Sequence, residues 1–265
     1  MHSAERNNVR GTESVDRVAR VLLAFVDAGS GLGVTEISRT VGLSKSVVHR
    51  MLQSLVARGL VMPARDQRRY ELGPAAAAMG ASALNRLELR QAARPTLWQL
   101  RDDSAETSTL SALVDTSRVY LDQVESPQEI KMTVEIGRRW PLHAGSTGKV
   151  LLAFVDEALR ERVLSEPMAP LTERTTTDAR RLREELDEIR SVGYSMSFGE
   201  RQQGAASTAA PIFGWQGAVV GAISVCGPAD RFTKPAMAEQ GKLVAIAAAE
   251  ITQRIIECTL QAPVR

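Results

Sequence analysis

Four polar side chains recur at helical spacing in the segment from residue 44 to residue 57. Ser46, His49, Arg50 and Gln53 follow the i, i+3, i+4, i+7 pattern, so they share one face of a helix. All four can hydrogen-bond and none is acidic, which suits the base edges of a DNA major groove. The pattern predicts a DNA-reading helix. The alternative is a polar face that is merely solvated.

The start of the same helix adds two candidate phosphate contacts. Ser44 is predicted to cap the helix and Lys45 follows it. Backbone N–H groups and the positive end of the helix dipole favour an anion at this position. A metal site at His49 is not expected, because no second His or Cys stands at ligand spacing.

The neighbouring elements must position this helix on DNA. A first helix is predicted over residues 14–28. A second, short helix is predicted to be capped by Thr35, which is also a predicted DNA contact, and Gly42 then makes the turn into the third helix. Two strand-like runs follow, at residues 60–62 and 69–72, and they predict a hairpin or wing. The predicted basic residues of the wing tip are Arg65, Arg68 and Arg69.

Charge is divided unevenly along the chain. Residues 1–73 hold 11 Lys and Arg against 7 Asp and Glu, a net charge of +4, whereas the remainder has a net charge of −2. A basic head on a slightly acidic body predicts that only the head meets a polyanion. Hydrophobic residues make up 44% of the chain, enough for a buried core. No apolar run approaches the roughly 18 residues of a membrane-spanning helix, and no secretory signal is visible.

A second candidate site lies in the segment from His143 to Val150. It departs from a phosphate-binding P-loop, which requires Gly in place of His143 and Ser or Thr in place of Val150. As a loop that enters a helix, it would offer hydroxyl and backbone N–H groups to a carboxylate. A purely structural turn is the alternative. Ser146 near His143 could also imitate a hydrolase dyad, but no orienting third group or nucleophile motif accompanies them, so we predict no enzymatic activity.

The remaining pattern predicts an α+β fold. An alanine-rich linker helix begins at Pro74, and a further helix is predicted to restart at Pro95. Strands are predicted at 107–114, 119–124, 131–136, 193–198, 208–213 and 218–226, with residues 115–118 as a turn. Helices are predicted at 148–155, at 178–192 and after Pro235. Strands mixed with segregated helices favour a mainly antiparallel sheet.

Motifs along the whole chain resemble those of the IclR family of bacterial regulators. In the head they are Ser14-Val15-Asp16-Arg17, Val34-Thr35-Glu36-Ile37, the run from Gly42 to Leu52, and Tyr70-Glu71-Leu72-Gly73. In the body they are Pro141-Leu142-His143, the run from Gly148 to Ala153, Gly193-Tyr194, Ala209-Ala210-Pro211-Ile212 and the run from Ser224 to Pro228. The resemblance implies a winged helix, a linker helix, a GAF-like effector domain, a homodimer or tetramer, and a palindromic operator.

The resemblance also implies which residues contact an effector. Ser146 and Thr147 occupy contacting positions. Family members tend to have an acidic residue earlier in the loop, which places Ser197 or Glu200 near the site. Ser224 and Cys226 project from one face of a predicted strand. Family members that bind small oxo-acids tend to carry Ser-x-Ser there, and Cys where this chain has Ser207. The predicted effector residues are Ser146, Thr147, Glu200, Ser207, Ser224 and Cys226, and the effector is either a small organic acid or an aromatic metabolite.

These observations predict four segments: an N-terminal arm (1–13), a winged helix-turn-helix domain (14–73), a linker helix (74–94) and a GAF-like effector domain (95–262). The predicted function is that of a transcriptional regulator, a repressor, whose operator binding responds to a carboxylate-bearing effector. Its partner is double-stranded DNA. We expect no cofactor, no metal and no membrane partner, and a cytoplasmic location.

Overall fold

The computed structural model describes residues 13–26, 28, 31–65, 68–86 and 88–261. These residues form two compact units that divide between Ala83 and Leu84. Three predicted features lie outside the described residues: nearly all of the N-terminal arm, Gly29-Ser30 after the first helix, and Asp66-Gln67 in the wing turn.

Three helices and a hairpin make up the N-terminal unit. The elements are α1 (Glu13–Ala24), α2 (Val34–Val41), α3 (Lys45–Ala57), β1 (Val61–Pro63) and β2 (Tyr70–Leu72). The two strands are antiparallel, with Met62 opposite Glu71, so they form the predicted wing. The buried apolar core draws on all three helices and the wing and contains Val21, Phe25, Ile37, Val41, Val48, Leu52, Leu55 and Val61.

Local capping residues define the helix-turn-helix. Ser44 caps α3 as predicted, because its hydroxyl accepts a hydrogen bond from the Val47 N–H. Gly42 ends α2 with φ at 68°, a left-handed conformation that glycine adopts without steric cost. The prediction that Thr35 caps α2 is wrong. The cap is Gly33, whose N–H donates to the Glu36 carboxylate at 2.8 Å, and the helix starts at Val34, one residue before Thr35.

The C-terminal unit is a six-stranded antiparallel sheet with helices on both faces. Helices α4 (Pro74–Arg86) and α5 (Glu88–Ser104) precede it. Its further elements are β3 (Thr107–Val114), β4 (Ser117–Val124), β5 (Arg139–Pro141), α6 (Ser146–Phe154), α7 (Glu157–Ser165), α8 (Ala179–Val192), β6 (Ser195–Phe198), β7 (Ala205–Phe213), β8 (Val219–Pro228) and α9 (Lys234–Gln261). The strand order is β5-β4-β3-β8-β7-β6.

Strand alternation divides the core into two layers. On β8, Ile223 and Val225 face the layer that contains α5 and α9, whereas Ala222 packs with α6 and α8 on the opposite face. Side chains two residues apart point the same way, so Ser224 and Cys226 share the α6 side with Ala222. The sheet thereby presents a polar patch beneath the N-terminal end of α6.

Several sequence expectations for this unit are wrong. Residues 131–136 form no strand, and the edge strand is β5, beyond them. Helix α7 was not predicted. Pro95 lies inside α5 rather than at a new start, because α5 already begins at Glu88. The predicted turn at 115–118 is two residues shorter, and Arg118 pairs opposite Leu113 within the sheet.

Candidate functional site

The predicted DNA-reading side chains form an exposed face on α3. Ser46, His49, Arg50 and Gln53 are exposed, while Val48, Leu52 and Leu55 of the same helix are buried. Ser44 and Lys45 are also exposed at its N-terminal end. The face therefore combines four hydrogen-bonding side chains with a free helix start, as contact with a major groove requires.

The wing arginines differ in their surroundings. Arg65 and Arg68, on either side of residues 66–67, are exposed. Arg69 is half-buried; it forms an ion pair with Glu36 at 3.2 Å and donates to the Gly31 carbonyl at 3.2 Å. Arg69 therefore links the wing to α2 through this ion pair. Thr35 is half-buried on α2, near the Glu36 end of this contact.

All six predicted effector residues line one small cavity in the C-terminal unit. They come from the start of α6, from β7, from β8 and from the loop after β6. The volume of the cavity is about 20 Å³, which is room for one or two water molecules. The predicted lining residues are Ser146, Thr147, Glu200, Ser207, Ser224 and Cys226, with Ser197 beside them.

Sheet register explains why residues so distant in sequence converge. Ser207 on β7 lies opposite both Ser197 on β6 and Cys226 on β8. The Ser146 hydroxyl bridges from α6 to the sheet, 2.7 Å from the Ser207 hydroxyl. The Ser224 hydroxyl lies 2.7 Å from that of Thr109 on β3. Hydroxyl groups thus cover the cavity floor, where a ligand could replace these mutual hydrogen bonds.

Glu200 lines the cavity but already has partners. One carboxylate oxygen accepts from the Gly145 N–H at 3.1 Å, and the other accepts from Lys149 Nζ at 2.5 Å. Lys149, itself buried on α6, also reaches Glu185 on α8 at 3.2 Å. Glu200 therefore holds the loop against the start of α6, and its negative charge is balanced inside the protein.

Arg118 is a cavity residue that the sequence analysis missed. Its side chain is 1% exposed, and its Nε and Nη1 atoms have no hydrogen-bond partner among the described residues. Burial lowers the pKa of Arg118, the charge of Tyr120 and a hydrogen bond with its side chain raise it, and the charge of Arg201 lowers it. Arg201 and Tyr120 line the cavity too. Alternation along β4 could have indicated an inward side chain, but the polar run Asp115–Arg118 favoured a turn.

The thiol of Cys226 has low reactivity in this environment. Burial raises the pKa of Cys226 to about 12; the charge of Arg201 lowers it and that of Glu106 raises it. A thiol with so high a pKa is neutral near pH 7 and is a poor nucleophile. Cys226 therefore offers the cavity a small, weakly polar surface.

The hypothetical dyad of Ser146 and His143 is not assembled. The Ser146 hydroxyl bonds to Ser207, and His143 Nε2 lies 3.0 Å from the Ala169 carbonyl oxygen. A general base must reach the hydroxyl that it activates, and here each group has another partner. Within the described ranges, no three His, Cys, Asp or Glu side chains are grouped as a metal site would require.

Comparison with known protein families matches both units. The IclR helix-turn-helix domain matches residues 14–63, and the bacterial transcriptional regulator IclR C-terminal domain matches residues 81–253. The chain belongs to the IclR family of transcriptional regulators. The matched segments contain the helix-turn-helix and nearly the whole six-stranded sheet with its cavity, so the α+β fold predicted from the sequence is confirmed.

Individual relatives agree with this membership. The glycerol operon regulatory protein of Streptomyces griseus is 35% identical over 84% of this chain and 87% of its own length. A crystal structure of an IclR transcriptional regulator from Silicibacter sp. TM1040 has a TM-score of 0.82 at 28% identity, covering 92% of this chain and 96% of that one.

One solved relative carries a ligand. An IclR homologue from Microbacterium hydrocarbonoxydans was crystallised in complex with 4-hydroxybenzoate; its TM-score is 0.72 at 27% identity, covering 91% of this chain and 98% of that one. Among the described helices of the present chain, none is long and apolar enough to cross a membrane.

Proposed function

We propose that this IclR-type regulator is a repressor that binds a palindromic operator and responds to a small organic effector. The observation that carries the proposal is that two sites lie in different units: an exposed hydrogen-bonding face on α3, and a small polar cavity under α6. We assign residues 14–73 to DNA binding, 74–94 to the linker and 95–262 to effector binding, with 1–13 as an arm. Because its proposed binding partner is chromosomal DNA, we place the protein in the cytoplasm.

The cavity favours an effector that carries a carboxylate. The first N–H groups of α6 lack intrahelical acceptors, and the Ser146 and Ser224 hydroxyls lie beside them. Each such hydrogen bond contributes about 0.5–1.5 kcal/mol, and more toward a charged group. We expect micromolar affinity, about −8 kcal/mol. The aromatic acid 4-hydroxybenzoate, bound by one structural relative, has the required group.

The effector acts by shifting a population rather than through a reaction. Binding in the cavity favours one arrangement of the protein, and the arrangement sets how well two heads fit a two-fold operator. The alternative of a hydrolase gains no support from Ser146 and His143, which bond to other groups. We propose that the protein functions by binding alone.

The DNA assignment is tested with fluorescence anisotropy on the DNA upstream of the gene. Arg50→Ala is expected to weaken operator binding by about 1–3 kcal/mol if Arg50 contacts a base. Arg65→Ala should weaken binding to every sequence alike and reduce the salt dependence. Arg58→Ala, exposed beyond the C-terminal end of α3, is the matched control. Wild-type binding by both Arg50→Ala and Arg65→Ala would refute the assigned face.

The effector assignment is tested on the same DNA after a metabolite screen by thermal shift. The double variant Ser146→Ala, Ser224→Ala should lose the effector response and keep effector-free operator binding, because cavity and DNA face lie in different units. Ser191→Ala removes an exposed hydroxyl from α8 and is the control. A double variant that still responds normally would show that the effector binds elsewhere.

A further inference from the structure

Two arginines face the cavity without a carboxylate to neutralise them. Arg118 is fully buried, and its Nε and Nη1 atoms are unpartnered although its guanidinium stacks on the Tyr120 ring at 4.9 Å. A buried charge costs free energy unless an opposite charge pairs with it. The Arg201 guanidinium stacks on two rings, 5.0 Å from the centre of Trp140 and 5.9 Å from that of Tyr120. Among the described residues, neither arginine forms an ion pair.

Both arginines lie close to Gly145, the residue that precedes α6. A side chain at Gly145 would lie 3.5 Å from Arg118 Nη2 and 3.6 Å from the Cβ of Arg201. The single acidic residue that lines the cavity is Glu200, and its oxygens are held by Lys149 and by the Gly145 N–H. Two cations therefore share one small space with no available anion of the described chain.

We propose that Arg118 and Arg201 form a two-cation site for a short dicarboxylate, which is the class of effector that this cavity takes. The inference rests on the proposed effector function. One carboxylate accepts from the free Nε and Nη1 atoms of Arg118 at the cavity floor, an arrangement that favours two parallel hydrogen bonds. The second carboxylate pairs with Arg201 nearer the rim. The hydroxyls of Ser146 and Ser224 donate further hydrogen bonds to the carboxylate oxygens.

Access requires the wall beside Arg201 to move, because a cavity of about 20 Å³ is too small for a dicarboxylate. The segment from Gly199 to Gly204 separates this cavity from an outer cleft of about 720 Å³, and Arg201 lines both. Outward movement of the segment joins the two spaces. Arg201 thus travels with the wall and meets the anion first, whereas Arg118 stays fixed on β4.

The test measures thermal unfolding of the full chain with malonate, succinate, glutarate and adipate, each against the monocarboxylate of equal carbon number at equal ionic strength. At least one dicarboxylate should stabilise the wild type saturably, with an affinity at least tenfold higher than that of its monocarboxylate. Arg118→Met and Arg201→Gln should each weaken that affinity at least tenfold. Arg138→Gln is the matched control, since Arg138 stacks on Trp140 at 4.3 Å yet is exposed and does not line the cavity.

Arg118→Met should also raise the midpoint of unfolding without ligand, because it removes an unpaired buried charge. Arg118→Lys and Arg201→Gln provide the binding measurement if Arg118→Met does not fold. The proposal is overturned if no dicarboxylate outperforms its monocarboxylate, or if loss of either arginine leaves the affinity unchanged.

Failure of the site and failure of the regulatory function give different results. If a monocarboxylate or neutral metabolite releases operator DNA while dicarboxylates fail to bind, the regulator stands and the two-cation site is wrong. If dicarboxylate binding depends on both arginines while operator affinity never responds to it, the site stands and the proposed function is wrong.

Discussion

At the scale of single side chains, the two cysteines differ in their accessibility to thiol reagents. Cys226 is buried in the cavity floor and its pKa is raised to about 12, whereas Cys258 is exposed on α9. The thiolate is the nucleophile that attacks a disulfide reagent, so a thiol with a raised pKa stays protonated and unreactive well above neutral pH. At Cys226, burial and the raised pKa therefore both protect the thiol.

We expect one reactive thiol in the native protein at pH 8. Cys258 should react promptly with 5,5′-dithiobis(2-nitrobenzoate), and Cys226 should react only after unfolding in guanidinium. In Cys258→Ser, native protein should show no reaction, which provides the control. Two thiols reacting at equal rates in the folded protein would contradict the burial of Cys226.

The Lys149 ammonium group provides a second test at the residue scale. Lys149→Met leaves Glu200 buried and without its cation, so the variant should lose about 3–5 kcal/mol of stability in urea unfolding. The double variant Lys149→Met, Glu200→Gln should recover part of this loss, because no uncompensated charge remains. A single variant that loses less than about 1 kcal/mol would mean that the pair is well solvated.

At the scale of elements, two helical glycines have opposite surroundings. Gly148 on α6 packs against the chain before the helix, so an added Cβ would lie 2.7 Å from the Leu142 carbonyl oxygen. Gly80 on α4 has nothing within 4 Å of the same position. The first glycine is required by the close approach of α6 to backbone, and the second is not.

This contrast predicts opposite signs for the same substitution. Gly80→Ala should stabilise the protein by up to about 1 kcal/mol, since alanine favours helix. Gly148→Ala should destabilise it, because backbone atoms must shift. Urea unfolding followed by circular dichroism compares the two variants directly. Stabilisation by both would show that α6 can move away from residue 142 at no cost.

The elements also show what local sequence pattern can and cannot predict. The helix-turn-helix and the wing were predictable because they depend on short apolar periodicity and on turn residues such as Gly42. Most strands of the sheet were predictable for the same reason. The inward position of Arg118 was not predictable from the sequence. Its burial depends on the pairing of β4 with β3 and on tertiary packing, and a local sequence pattern contains neither.

The convergence of the cavity residues was predicted only through family resemblance. Ser146 and Ser207 are distant in sequence, and their hydroxyl contact arises from the register of β7 and the placement of α6 above it. The contacting roles of the ten predicted DNA-binding and six effector residues remain predictions. Glu200 illustrates the difference, since its position in the cavity comes with internal partners that a sequence cannot show.

For the whole molecule, the exposed apolar surface of α4 predicts self-association. Met79 is 65% exposed, and Ala77 and Ala78 are exposed beside it. A helix in water would carry charged residues at such positions. One head also reads few base pairs, whereas two heads related by two-fold symmetry double the recognised site. We propose that α4 contributes to a homodimer, or to a tetramer built from dimers.

Light scattering at micromolar concentration should therefore give a mass of at least twice 28.8 kDa. Met79→Glu should shift the population toward the monomer and weaken operator binding. Ile130→Glu is the matched control, because Ile130 is 72% exposed in the loop after β4, in the C-terminal unit. A wild-type monomer with intact DNA binding would refute the proposal.

The small size of the cavity also affects the rates at which a ligand binds and leaves. A ligand that must wait for the 199–204 segment to move cannot bind faster than that segment opens, so the observed association rate should level off as ligand concentration rises. The same barrier delays escape. A brief pulse of metabolite would then leave an occupied protein behind after the metabolite is consumed, and the regulator would average its chemical surroundings instead of following each fluctuation.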